Sequence, residues 1–196
     1  MKNKEIFYIS NLLSLSRFVL LIIIVFSLTS AFNSRYLYAS LLIIIMWLTD
    51  ILDGYFARSR NEVSEIGKII DPVADKTSII TISMIMVITG IIPLWFFLVI
   101  MSRDILILSG GLYVKKKKGI ILQSNITGKL TVFIIGFTLL NMLIITHFSE
   151  QNTNNFFLYH IEKLELYWNF LILISMVMTV ISIVSYFRKF LKTAFK

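Results

Sequence analysis

The sequence has no cysteine and few charged residues, and each shortage excludes a class of protein. Without cysteine, the chain can form no disulfide bond and can use no thiolate as nucleophile or metal ligand. Asp, Glu, Lys and Arg make up only 15% of its 196 residues, hydrophobic residues make up 57%, and the mean hydropathy is +0.84. This composition favours a membrane domain over a soluble one.

Acidic residues are the rarer charged type, with 11 Asp and Glu against 19 Lys and Arg, so the net charge is +8. A surplus of this size can indicate nucleic-acid binding. Here, however, the basic residues lie at the ends of apolar runs and not along one soluble face. We therefore expect a membrane protein without a nucleic-acid partner.

Six apolar runs each provide the roughly twenty residues that a helix needs to cross a bilayer. We predict an all-α integral membrane protein with six transmembrane helices, at about residues 13–31, 36–56, 66–91, 93–114, 126–147 and 166–187. A short helix over residues 1–12 is predicted to lie on the membrane surface. The polar segment from Ser149 to Glu165 is predicted to be a loop with a frayed helical end. No repeat and no long linker divides the sequence, so residues 1–196 are predicted to form a single domain.

The distribution of Lys and Arg predicts the orientation. Six spans place both termini on one side, together with the second and fourth loops. That side holds most of the basic residues, including the run from Lys115 to Lys118, whereas the opposite loops hold only Arg35 and Lys163. By the positive-inside rule, the termini and the second loop face the cytoplasm. Arg17, near the end of the first span, is interpreted as an anchor that snorkels to the surface.

Four aspartates, Asp50, Asp53, Asp71 and Asp75, flank that second loop. Helical spacing places the first two on one helix face and the last two on another, and a turn at about Ser59–Ser64 would oppose the two faces. Four carboxylates at one place repel each other unless some are protonated or cations neutralise them. Since the nearby donors are all oxygens, the pattern favours Mg²⁺ or Mn²⁺ over Zn²⁺.

Two other interpretations of the aspartates remain open. The first is a buried salt-bridge cluster with Arg58, Lys68 and Lys76. The second is a cation transporter built on intramembrane carboxylates, a class that often has matching sites in two related halves. This sequence has no matching acidic set in its second half, which weighs against a transporter.

The complete stretch resembles the signature of the CDP-alcohol phosphotransferases, integral membrane enzymes of phospholipid synthesis. Residues 50–75 fit the pattern D-x2-D-G-x2-A-R-x8-G-x3-D-x3-D at every fixed position. The motifs NLLSLSR at Asn11, SRD at Ser102 and GKL at Gly128 are similar to the phosphatidylglycerophosphate synthase and cardiolipin synthase branches.

The resemblance implies that the chain transfers a phosphatidyl group from CDP-diacylglycerol to an alcohol and releases CMP, with two Mg²⁺ or Mn²⁺ ions and as a homodimer. It implies that all four aspartates bind metal, and that Asp75 is also the catalytic base on the acceptor hydroxyl. The residues implied to bind the CDP-lipid are Asp50, Gly54, Ala57, Arg58 and Gly67.

Arg103 and Lys129 are the candidate acceptor-binding residues, because charges inside a membrane span are functional candidates by default. They favour a phosphate-bearing acceptor, with glycerol 3-phosphate as the first choice. The motif at Ser102 departs from the ARE expected in many phosphatidylglycerophosphate synthases. Phosphatidylglycerol, as in cardiolipin synthase, and inositol phosphate therefore remain alternatives. Arg103 could instead pair with Asp104 or with another span, and Lys129 could be an interface anchor.

Overall fold

A computed structural model describes residues 9–59, 67–119, 125–151 and 155–194, and most of these residues are helical. These residues form six helices and no strand, so the all-α prediction is confirmed. The helices are α1 (Ile9–Thr29), α2 (Arg35–Ser59), α3 (Gly67–Ile88), α4 (Leu94–Lys118), α5 (Ile126–Gln151) and α6 (Asn155–Ala194).

Five of the six helices are long and apolar enough to cross a membrane, as expected of a multi-pass membrane protein. Their apolar stretches are Leu12–Thr29, Arg35–Asp53, Leu94–Lys117, Ile126–Gln151 and Leu166–Thr193. Helix α3 differs because Lys68, Asp71, Asp75 and Lys76 all fall among its first ten residues. Each predicted span nevertheless corresponds to one observed helix.

Two predicted non-spanning segments differ from the structure. Ile9–Leu12 belong to α1 itself, and residues 1–8, the rest of the predicted surface helix, lie outside the described residues. The loop predicted from Ser149 to Glu165 was wrong, since α5 continues to Gln151 and α6 begins at Asn155. That segment contains neither Gly nor Pro, the two residues that oppose helix formation most strongly.

Glycine ends two of the helices in the left-handed conformation. After α3, Gly90 has φ +74°, and the next amide, of Ile91, donates to the Met86 carbonyl at 2.8 Å. After α4, Gly119 has φ +68° and its amide donates to the Lys115 carbonyl at 2.9 Å. Both arrangements satisfy carbonyls that the last helical turn leaves without an intrahelical partner.

The chain divides into two compact units. The first contains α1, α2, α3 and residues 146–151 of α5, and in it α1 packs against both α2 and α3. Small side chains line these contacts and allow close approach of the helices, as is usual in membrane bundles. They include Ser14, Ala39, Ser40, Ala74, Ser78 and Ser83, all buried.

The second unit contains α4, the rest of α5, and α6, and in it α4 packs against α6. Buried hydroxyls join α5 to α6: Thr131 donates to the Met178 carbonyl at 3.0 Å, and Thr138 shares a hydrogen bond with Ser175 at 2.8 Å. Hydrogen bonds of this kind stabilise helix pairs in a bilayer. That residues 1–196 form one domain stays a prediction.

Candidate active site

Three of the predicted aspartates meet in the first unit, around the guanidinium of Arg17. Its Nη1 donates to Asp50 Oδ1 at 2.7 Å and to Asp75 Oδ1 at 2.5 Å, and its Nη2 donates to Asp53 Oδ2 at 2.6 Å. Ser14 adds a hydrogen bond to the same Asp53 oxygen at 3.2 Å. Acids from α2 and α3 are therefore brought together by a cation from α1.

Helical periodicity explains why these side chains meet. Along α1 the buried positions recur every three or four residues, at Ser14, Arg17, Leu21, Ile24 and Leu28. On α2 the buried series is Tyr36, Ala39, Ile43, Met46 and Asp53. On α3 the residue before Asp75 begins a third series, at Ala74, Ser78, Ile82 and Ile85. Apolar packing of the three faces thus fixes the positions of the charged residues at their ends.

The site has a buried side and an open side. Arg17 and Asp53 have side-chain exposures of only 1% and 7%, whereas Asp50 and Asp75 are 49% and 48% exposed. A guanidinium buried this deeply requires partners, since removing one partner of a buried ion pair is costly. The half-exposed carboxylates can meet a ligand from outside.

Several predicted site residues cannot be placed fully. Helix α3 includes Asp71 one turn before Asp75, α2 extends past Gly54, Ala57 and Arg58, and α3 begins at Gly67. The side chains of residues 54–72 lie outside the described part, as does the predicted turn from residue 60 onwards. The alternative pairing of the acids with Arg58 or Lys68 falls there too.

The interpretation of Arg17 as a surface anchor was wrong. Its side chain is only 1% exposed and its guanidinium binds the acids, so it does not extend towards water as an anchor would. The sequence carried a signal for this position: Arg17 continues the apolar series of Leu21, Ile24 and Leu28 at intervals of three and four residues.

The donor set suits a hard divalent cation. The Asp50 and Asp75 oxygens that share Nη1 are no more than about 5 Å apart, the sum of their two distances to that nitrogen. Carboxylate oxygens are the ligands that Mg²⁺ and Mn²⁺ prefer. Within the described residues, no three acid or histidine side chains are arranged to hold a metal ion as they stand, and Arg17 lies between the carboxylates. The chemistry therefore fits, provided that Arg17 yields part of its contacts.

Arg103 lies buried in the second unit with its guanidinium bound by all three helices. Nη1 donates to Asp104 at 2.6 Å, and Nη2 donates to the Gly128 carbonyl and to Ser182 Oγ, both at 3.1 Å. The pairing with Asp104, one of the two alternatives for this residue, is present. Among the described residues nothing accepts from its buried Nε.

Lys129 follows Gly128 in the first turn of α5, and its side chain is exposed. Lys129 is therefore the neighbour in sequence of Gly128, whose carbonyl Arg103 binds. The structure gives no contact between Lys129 and Arg103. Sequence reasoning did not identify a group of polar and basic residues on α6 as a possible site. An open pocket of about 460 Å³ is lined by Ser185, Arg188, Lys189 and Lys192, among other residues.

This helical membrane architecture and its aspartate cluster define a class of enzyme. The chain belongs to the CDP-alcohol phosphatidyltransferase family, whose model matches residues 7–181 and so spans both units. It is accordingly a phosphatidyltransferase of phospholipid biosynthesis. Family membership decides against the cation transporter.

Similar proteins carry two kinds of name. The CDP-diacylglycerol–glycerol-3-phosphate 3-phosphatidyltransferase of Aquifex aeolicus is 32% identical over 193 residues, covering 96% of this chain and 98% of that protein. The Bacillus subtilis protein of the same name is 36% identical over 95 residues, 48% of this chain and 49% of its own. A putative cardiolipin synthase of Mycobacterium tuberculosis is 30% identical over 132 residues, 66% of this chain and 62% of its own.

Proposed function

We propose that this enzyme transfers the phosphatidyl group of CDP-diacylglycerol to glycerol 3-phosphate and releases CMP. The observation that carries the proposal is the convergence of Asp50, Asp53 and Asp75 at one point, as the family pattern requires. The similarity to the Aquifex aeolicus protein, which extends over nearly the whole of both chains, supports glycerol 3-phosphate as the acceptor.

In the reaction, an acceptor oxygen bonds to the phosphorus of the phosphatidyl group. The bond from that phosphorus to the oxygen of CMP breaks, and CMP leaves with the electron pair. We assign Asp75 as the base that takes the proton of the attacking hydroxyl, since its carboxylate is half exposed.

Asp50, Asp53, Asp71 and Asp75 would hold two Mg²⁺ or Mn²⁺ ions. When bound, such ions neutralise the pyrophosphate and the charge that develops on the leaving oxygen. We further assign Gly54, Ala57 and Gly67 to close approach of the nucleotide, and Arg58 to its phosphate oxygens, because a guanidinium presents a planar fork of donors.

The proposal includes an active site that faces the cytoplasm and a homodimeric assembly. The orientation rests on the positive-inside rule applied to the loops, and the dimer rests on the family resemblance. CDP-diacylglycerol arrives from the surrounding bilayer, so the polar head must reach the acids from the open side of Asp50 and Asp75.

The acceptor can be identified by measuring CMP release from CDP-diacylglycerol and Mg²⁺ with purified protein. Glycerol 3-phosphate, phosphatidylglycerol and inositol phosphate are offered in separate reactions. We expect release with glycerol 3-phosphate alone. Release with phosphatidylglycerol alone would identify a cardiolipin synthase. If folded protein releases no CMP with any of the three acceptors, the transferase assignment is contradicted.

Arg103→Ala is expected to raise the KM for glycerol 3-phosphate at least about tenfold, since a lost charge-assisted hydrogen bond costs about 1.5–3 kcal/mol. The KM for CDP-diacylglycerol should change little. Steady-state CMP release, with one substrate varied at a time, separates the two constants.

Ser182→Ala is the matched control for that substitution. It removes one of the partners of Arg103 but leaves the guanidinium in place. An unchanged acceptor KM in Arg103→Ala, or an equal rise in Ser182→Ala, would refute the assignment of Arg103 to the acceptor phosphate.

A further inference from the structure

Arg17 contacts the acid cluster through two nitrogens that meet different surroundings. Nη2 contacts Asp53, which is buried and also accepts from Ser14. Nη1 contacts Asp50 and Asp75, both of which are about half exposed. One end of the guanidinium is thus held in the protein interior, and the other lies among carboxylates that outside ligands can reach.

We propose that Arg17 is the built-in counterion of the metal site. Its Nη1 end holds Asp50 and Asp75 together in the metal-free enzyme and gives them up to a divalent cation, while its Nη2 end stays on Asp53. This inference rests on the proposed metal-dependent transfer, and it assigns a function to a residue outside the aspartate pattern.

Charge explains why a counterion is needed. The side chains of Asp50, Asp53 and Asp75 carry three formal negative charges, and they come from two helices that apolar packing holds in place. Like charges this close destabilise each other unless a cation lies between them. A guanidinium suits the position because its fixed planar donors bind several carboxylate oxygens at once.

The distances imply that Nη1 of Arg17 and a divalent cation compete for the same carboxylate oxygens. A Mg²⁺ ion takes oxygen ligands at about 2.0–2.1 Å, and Nη1 already lies 2.7 Å from the Asp50 oxygen. The ion and Nη1 cannot both lie at hydrogen-bonding or coordinating distance from the same oxygens without mutual repulsion. A cation that takes the Oδ1 oxygens of Asp50 and Asp75 therefore displaces Nη1, and the Asp53 contact keeps the released end close enough to donate to a phosphate oxygen.

The test measures Mn²⁺ binding to the purified full chain in detergent without substrate, by calorimetry, beside the Tm of the metal-free protein. Arg17→Gln removes the competing charge. We expect Mn²⁺ to bind at least about tenfold more tightly, the metal-free Tm to fall, and saturating Mn²⁺ to raise the Tm more than in the parent.

Two further variants make the result decisive. Arg17→Lys keeps the charge with a single donor group, so its Mn²⁺ affinity should lie between those of the parent and Arg17→Gln. If Arg17→Gln does not fold, Arg17→Lys replaces it in the test. Arg35→Gln breaks the ion pair with Glu150 in the same unit and should leave Mn²⁺ affinity unchanged.

Unchanged or weaker Mn²⁺ binding in both Arg17 variants would overturn the proposal, as would a parent protein that binds no Mn²⁺. Failure of the transferase function is a separate result, since it appears as absent CMP release by the parent with every acceptor.

Discussion

Asp75→Asn is expected to lower kcat for CMP release by at least about a thousandfold while the protein still folds and inserts. The substitution keeps the shape of the side chain but removes its negative charge and its ability to take a proton. General-base catalysis alone contributes about 10²–10⁴-fold, and the loss of a metal-binding charge adds to that. Asp71→Asn, one turn earlier on α3, should be similarly inactive.

The matched control is Glu150→Gln. Glu150 also pairs with an arginine in the first unit, and its side-chain exposure of 48% equals that of Asp75. Its substitution should leave kcat within about twofold of the parent. Retention of more than about a tenth of parental kcat in Asp75→Asn, with normal Tm and membrane extraction, would contradict the assigned role.

Asp53→Ala is expected to destabilise the metal-free protein far more than Asp50→Ala. Loss of Asp53 removes a buried carboxylate that accepts hydrogen bonds from Arg17 Nη2 and from Ser14. Arg17 keeps its contacts with Asp50 and Asp75, so the cost falls below the roughly 3–5 kcal/mol of a buried charge left without any partner. An ion pair with a half-exposed partner contributes about 0–1 kcal/mol, so Asp50→Ala should have a small effect.

Thermal unfolding of the two variants in the same detergent, without divalent cations, measures the difference. The comparison is matched because both substitutions remove one carboxylate from the same guanidinium. Equal falls in Tm would mean that burial of Asp53 does not determine the energetics of the cluster. The rate of CMP release does not distinguish the two variants, because Asp50 and Asp53 are both proposed metal ligands.

The helices and the acid cluster could be predicted from the sequence because each rests on a local rule. Runs of about twenty apolar residues indicate membrane helices. The spacing of Asp50 and Asp53, and that of Asp71 and Asp75, indicates one shared helix face for each pair. The segment from Ser149 to Glu165 was misinterpreted because polarity was taken as a sign of a loop. Polarity alone does not prevent a helix, and the segment lacks Gly and Pro, the two strongest helix breakers.

The partner of the acids was harder to predict because it lies 33 residues before Asp50 and 58 before Asp75. No spacing rule joins residues so distant in sequence. Only the packing of α1 against α2 and α3 brings them together. The partners of Arg103 on α5 and α6 were missed for the same reason.

The unequal exposure of the four charged side chains has a consequence for the access of ligands to the site. Arg17 and Asp53 are buried, whereas Asp50 and Asp75 are about half exposed. A ligand that approaches these acids therefore meets Asp50 and Asp75 first. We expect CMP, which carries the same nucleotide as the lipid donor, to compete with CDP-diacylglycerol for this approach.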